Sequence, residues 1–320
     1  MTSAEKQIFQ NRSCGYDPYG SAEVHRAFVC CPDYGDFLPD FCGQGPPVYR
    51  IAAGKEAQPN SYPWMAMLLY KNTLYSGQNL VPKCAGSLIT NRYVLTAAHC
   101  VHVSGFQLKS VRLGEHNISS NPDHIIQELY APPHLEINVE QIIKHEEFHN
   151  VDNRKYYNDI ALLRLEIIVR YTRQIIPICI LTGQESFDPY PFLINSTLHI
   201  AGWGYSHMQE FSKILLEAKI KIRNPDECFR KYPFLGLNKE SQICAGNDGK
   251  DTCEGDSGSP LMAPMRWGEN EFVYLAGITS YGGSFDRTCG YGPAAYTKTS
   301  KFLDWIRRNM FKLEPNINFF

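Results

Sequence analysis

Residues 251–260 read Asp-Thr-Cys-Glu-Gly-Asp-Ser-Gly-Ser-Pro. One serine, Ser257, lies between Gly255 and Gly258, with Asp256 beside it and Asp251 upstream. A serine hydroxyl is a poor nucleophile at neutral pH and needs both a base and an oxyanion pocket. Glycine beside the nucleophile lets backbone N–H groups reach a reacting carbonyl with no Cβ in the way. The same residues also suit a plain surface turn. The choice between the two rests on whether the chain supplies a base and an orienting acid.

The candidate base is His99, in Tyr93-Val-Leu-Thr-Ala-Ala-His-Cys100. Gly86-Ser-Leu-Ile-Thr90 precedes it, and a tight Asn91-Arg92 turn predicts a hairpin between the two runs. Cys84 and Cys100 flank that hairpin and could bridge its open end, holding the histidine backbone still. The candidate acid is Asp159, which opens Asn158-Asp-Ile-Ala-Leu-Leu-Arg-Leu165. A carboxylate at the start of an apolar strand is partly desolvated and needs a partner. The N–H of a neutral imidazole would serve. Each residue has an ordinary alternative, a half-buried strand-end histidine or a turn aspartate.

The bulk composition narrows the class. The chain has 320 residues, 43% apolar and 20% charged, enough to bury a core. Its net charge of −2 argues against nucleic acid or an anionic membrane as the main partner. No apolar run approaches the roughly 18 residues of a membrane span. Eleven cysteines point to an oxidising compartment, and sequons at Asn11, Asn117 and Asn195 agree. Met1-Thr-Ser-Ala-Glu-Lys-Gln7 has no apolar signal core. An odd cysteine count leaves one thiol unpaired, so residues preceding Met1, including a signal peptide, are expected.

Residues 1–31 are short, polar and cysteine-bearing (Cys14, Cys30, Cys31), too few to build a core alone. Residues 32–50 are dense in Pro, Gly and Asp and read as an extended linker open to proteases. From Ile51 onward, short apolar runs alternate with turn signals, the pattern of an all-β sandwich or barrel. A helix is expected over Ser300–Lys312, with Phe302, Leu303, Trp305, Ile306 and Met310 on one face and Ser300 as N-cap. Residues 313–320 form a tail.

Thr96-Ala-Ala-His-Cys100, Asn158-Asp-Ile-Ala-Leu-Leu163 and Gly255-Asp-Ser-Gly-Ser-Pro260 occur in the order His, Asp, Ser. Together they resemble the trypsin/chymotrypsin family of serine endopeptidases over about residues 51–312. The resemblance implies an all-β fold of two packed six-stranded antiparallel barrels with a C-terminal helix and the site in the cleft between them. It implies His99 as general base, Asp159 as orienting acid, Ser257 as nucleophile, and the N–H groups of Gly255 and Ser257 as oxyanion hole. Asp251 would sit at the floor of the primary pocket and select Arg or Lys. Ser280-Tyr-Gly282 would pair with the substrate backbone. Ala294 departs from the glycine usual in such pockets, and its methyl would intrude.

Arg50-Ile-Ala-Ala-Gly54 resembles the activation site of these zymogens. Cleavage there would free an ammonium on Ile51 to pair with Asp256. The resemblance also implies the disulfides Cys84–Cys100, Cys42–Cys179, Cys228–Cys244 and Cys253–Cys289. Cys14-Gly15 and Val29-Cys-Cys-Pro32 resemble the end of an arthropod clip domain. The implied protein is a secreted, monomeric zymogen in an extracellular immune or developmental cascade. It would act on protein substrates, be cut by an upstream protease and be checked by serpin-type inhibitors. No cofactor, metal, nucleic acid or membrane is implied. Gly114–Asp123 resembles the calcium loop of some relatives but is sparse in acidic ligands, and adjacent Cys30-Cys31 does not match zinc spacing. The rival readings are a digestive trypsin and a non-catalytic homologue acting as a binding cofactor.

Overall fold

The computed structural model describes residues 13–16, 27–29, 42–44, 55–74, 79–126, 129–151, 155–180, 194–205, 211–231, 237–246, 252–267, 270–282 and 293–312. The chain forms two compact units, Met1–Asp40 and Phe41–Phe320. In the first, β1 (Ser13–Tyr16) pairs antiparallel with β2 (Ala27–Val29). The boundary falls inside the stretch read as a linker, because Cys42–Gln44 is docked on the larger unit. Gly43 N–H donates to Pro177 O (2.8 Å), Gly43 O accepts from Val273 N–H (2.9 Å), and Cys42 is disulfide-bonded to Cys179.

The larger unit opens with β3 (Lys55–Glu56), β4 (Met65–Asn72), β5 (Leu80–Leu88), β6 (Tyr93–Thr96) and β7 (Phe106–Leu113). The hairpin β8 (His124–Ile126) and β9 (Leu129–Tyr130) follows, then β10 (Leu135–Lys144), the hairpin β11 (His149–Val151) and β12 (Lys155–Tyr157), and β13 (Ala161–Leu165). Strands β10, β13, β6, β5, β4 and β7 close into a six-stranded barrel. Met65 to Tyr70 are all buried, so β4 lacks the polar alternation of a one-sided strand. It is covered by the barrel core on one face and by more protein on the other.

The second half has β14 (Thr197–Gly202), β15 (Leu216–Lys221), α1 (Pro225–Lys231), β16 (Gln242–Ala245), β17 (Pro260–Trp267), β18 (Asn270–Tyr281), β19 (Ala294–Lys298) and α2 (Leu303–Lys312). The pairing order is β16-β19-β18-β17-β14-β15, with β3 added at the edge. The ends are joined by a bridge between Ile222 and Ala245, with Arg223 N–H to Cys244 O (2.8 Å) and Gly246 N–H to Lys221 O (2.9 Å). That bridge closes the second barrel around Leu198, Ile220, Leu261, Tyr274, Ala294 and Tyr296.

The runs Gly86–Thr90, Tyr93–Cys100 and Asn158–Leu165 overlap β5, β6 and β13, but two local readings change. The β5–β6 connection is four residues, 89–92, not a two-residue turn. The Thr90 hydroxyl accepts from Arg92 N–H (3.2 Å) and Tyr93 N–H (3.1 Å), a side chain mimicking a backbone turn. Ser300 does not cap a helix. A 3-10 turn runs from Thr299 to Phe302, no side chain caps it, and the α-helix begins at Leu303. The 3-10 geometry tucks Thr299 and Phe302 inward while Ser300 faces solvent.

Candidate active site

The two barrels meet along a seam, and the His99, Asp159 and Ser257 motifs converge on it. Trp64, fully buried, directs its indole N–H at Met262 Sδ across that seam (3.1 Å). His99 sits just after β6 in a 3-10 turn, Ala98–Val101, rather than at a strand end. The Cys84–Cys100 disulfide ties that turn to β5, and the Tyr70 hydroxyl donates to Cys100 O (2.8 Å). Small, fully buried Ala97 and Ala98 let the turn pack tightly.

Asp159 is 1% exposed, two residues before β13. His99 N–H donates to its Oδ1 (2.9 Å), and His99 Nδ1 lies 2.8 Å from Oδ2. That contact requires the tautomer with the proton on Nδ1, leaving Nε2 an acceptor. From the second barrel, Ser280 Oγ donates to Asp159 Oδ2 (2.5 Å) and Thr297 Oγ1 donates to the Asp159 carbonyl (2.9 Å). Burial alone would raise the Asp159 carboxyl. The charge of His99 and the hydrogen bonds from His99 and Ser280 outweigh it and hold the group below the usual carboxylate range.

Ser280 was read as a substrate contact. The residue is 4% exposed and its hydroxyl is committed to Asp159, which leaves the backbone as the group for a peptide to meet. No local signal marks this use, because its partner lies 121 residues away in sequence.

The Ser257 loop is docked against the histidine segment. Ser257 O accepts from Ala85 N–H (2.8 Å), and Gly258 N–H donates to Thr279 O (2.9 Å). A Cβ on Gly258 would stand 2.2 Å from Thr96 Oγ1, so this approach needs glycine. Gly255 has φ +97°, and Phe211 packs on it so closely that a Cβ would meet the ring at 2.6 Å. Among the described residues, neither the Gly255 nor the Ser257 N–H has a backbone acceptor.

Asp256 turns away from Ser257. Its carboxylate accepts Gly204 N–H (2.8 Å) and Cys253 N–H (2.9 Å). Burial pushes its carboxyl up to about 6 despite these two bonds. The residue as a whole is partly exposed while the carboxylate itself is enclosed, and the enclosed atoms are those that titrate.

Ala294 opens β19 and is fully buried. It stands against Gly282, where a Cβ would come within 2.4 Å of the Ala294 methyl. The expected pocket floor, Asp251, lies outside the described residues, as do Arg50, Ile51 and Cys289. Cys253 is disulfide-bonded, and Cys228 is bonded to Cys244. Cys14 lies in β1, Cys30 and Cys31 lie outside the described residues, and residues 313–320 do so as well.

The loop Gly114–Asp123 carries its own cation. Arg112 Nη1 is 3.1 Å and His134 Nδ1 3.2 Å from Glu115 Oε2. Asp123 accepts the N–H groups of His116 (3.0 Å) and Asn117 (3.3 Å) and the Ser120 hydroxyl (2.8 Å). A guanidinium on Glu115 does not fit an oxygen-lined calcium cage.

The Trypsin family matches residues 51–306. Spaetzle-processing enzyme of Drosophila melanogaster is 37% identical, over 98% of this chain and 84% of the relative. CLIP domain-containing serine protease HP8 of Bombyx mori is 37% identical, over 80% and 68%. Among solved structures, the Drosophila Grass clip serine protease of the Toll pathway superposes with TM-score 0.71 at 31% identity, covering 97% of this chain and 87% of that one. Neuropsin, a serine protease of mouse brain, gives TM-score 0.61 at 33% identity, over 81% and 100%. The chain belongs to the trypsin family of serine endopeptidases, in its clip-domain branch.

Proposed function

We propose that the chain is a secreted zymogen, cleaved between Arg50 and Ile51, that cuts proteins after Arg or Lys through His99, Asp159 and Ser257. The observation that carries this is the hydrogen-bonded set His99–Asp159–Ser280, built across the barrel seam beside the Ser257 loop. In the reaction, His99 Nε2 takes the Ser257 proton as Oγ attacks the scissile carbonyl carbon. The Gly255 and Ser257 N–H groups hold the oxyanion. His99 then returns the proton to the leaving amine, and water releases the acyl group by the same route. Asp251 supplies the carboxylate that a cationic side chain would need.

Relatives named for Spaetzle processing, melanization and the Toll pathway support a place in a proteolytic cascade. In this reading the cascade is extracellular, with an upstream activating protease, a regulatory protein substrate and a serpin-type inhibitor. Residues 1–31 belong to a clip domain in this reading, and 32–50 are the activation segment. Cys42–Cys179 would keep that segment attached after cleavage. Among the described residues no helix is long and apolar enough to cross a membrane.

The test is to cut the chain after Arg50 and assay Arg-, Lys- and Phe-terminated amides, with Ser257→Ala as control. Turnover of Arg and Lys amides that Ser257→Ala abolishes is the expected result. No turnover of any amide would favour the binding-cofactor reading, and a preference for Phe would refute the role of Asp251. Ala294→Gly is expected to raise kcat/KM for arginyl amides about fivefold, the order of one overpacked methyl relieved. An unchanged value on matched substrates would remove Ala294 from the pocket.

A further inference from the structure

Gln242, the first residue of β16, is 5% exposed. Its side chain joins three separate segments. Nε2 donates to the carbonyl of Tyr156 (3.0 Å), and Oε1 accepts Asn238 N–H (2.8 Å) and the Tyr281 hydroxyl (3.4 Å). These partners assign the amide orientation, since only its NH2 can face a carbonyl and only its oxygen can face an N–H. Tyr156 ends just before Asp159 on the first-barrel side, whereas β16 and β18 belong to the second barrel. One buried amide therefore spans the seam.

Tyr156 stands beside His99, and Tyr281 stands beside Tyr156. The Tyr156 ring lies 5.1 Å from the His99 ring, centre to centre, and 5.9 Å from that of Tyr281. Phe148 stacks behind Tyr156, nearly parallel, at 6.2 Å. A peptide paired with Ser280–Gly282 and presenting its scissile carbonyl to Ser257 must run its preceding residues over Tyr281 and Tyr156. The separation of those rings is set through groups that Gln242 holds. A hydrophobic side chain of the same length could fill the space but would take this partner from the Tyr156 carbonyl and the Asn238 N–H, both half-enclosed at the bond.

We infer that Gln242 is a positioning residue: it fixes Tyr156 beside His99 and Tyr281 beside Tyr156, and so sets the fit of the substrate residues that precede the scissile bond. This rests on the proteolytic reading above. The experiment uses the enzyme cut after Arg50 and two substrates, a blocked single-arginine anilide and a tetrapeptide anilide ending in arginine. In Gln242→Ala and in volume-conserving Gln242→Met, the ratio of kcat/KM for tetrapeptide to single arginine is expected to fall about tenfold, through KM, the equivalent of one or two buried hydrogen bonds. Tyr281→Phe removes the hydroxyl that makes the 3.4 Å contact while Gln242 keeps its other two bonds, and its ratio is expected to fall by about half. A ratio unchanged in Gln242→Met would mean that filled volume suffices, and the inference fails. Equal loss on both substrates through kcat would make Gln242 a fold residue only, and it fails again. If the unmutated enzyme turns over neither substrate, it is the proteolytic reading that has failed.

Discussion

Asp159→Asn is expected to lower kcat by about four orders of magnitude, with KM changed by only a few-fold. A carboxylate offers only acceptors, and here three donors meet it: His99 N–H, the His99 ring and Ser280 Oγ. Asparagine has one accepting oxygen and one NH2. If the NH2 faces His99 Nδ1, the ring proton moves to Nε2, where it blocks acceptance of the Ser257 proton. If the NH2 takes the Oδ1 position and faces His99 N–H instead, that donor loses its acceptor, at a cost of about 1–3 kcal/mol. Steady-state kinetics on arginyl amides, with thermal unfolding alongside, separates the two effects. A loss under about tenfold in a folded variant would mean that Asp159 does not orient the base.

The second large effect is expected at Asp256. Uncut protein carrying Arg50→Gln should be inactive, and its stability should depend on pH in a specific sense. The folded carboxyl is raised from the ordinary 3.8 to about 6. A raised acid contributes stability that is fully present below pH 4 and lost as pH rises through 6. The loss amounts to about 3 kcal/mol, taking about 1.4 kcal/mol per unit for an enclosed carboxylate. Urea unfolding of the uncut protein between pH 4 and 7 measures it. In the cut protein an Ile51 ammonium beside Asp256 should reverse this slope. Activity should then fall as pH climbs past about 8, where an α-amine loses its proton. A flat stability profile in uncut protein, or full activity of Arg50→Gln, would overturn the switch.

Much of this was legible in the primary structure. The barrel strands announce themselves through short apolar runs separated by turn residues, and Ile160–Leu165 needs no tertiary information to be read as a buried strand. β16 was missed: it is four residues long and starts on a polar side chain. The Asn91-Arg92 turn was read two residues too short, because the Thr90 hydroxyl does the work of a backbone group. Ser300 had the right chemistry for a cap but lies within a 3-10 turn fixed by the burial of Thr299 and Phe302.

Residue identity and local order made His99, Asp159 and Ser257 candidates, and the resemblance carried by their three motifs gave each an expected role. The partners of these groups were not available from local order. Ser280 reaches Asp159 across 121 positions, Thr297 reaches it across 138, and Gln242 reaches Tyr156 across 86. Each is a polar residue whose role depends on which atom faces it after burial. Burial and facing are set by how two barrels pack, and that packing is a sum over the whole core that no single stretch encodes.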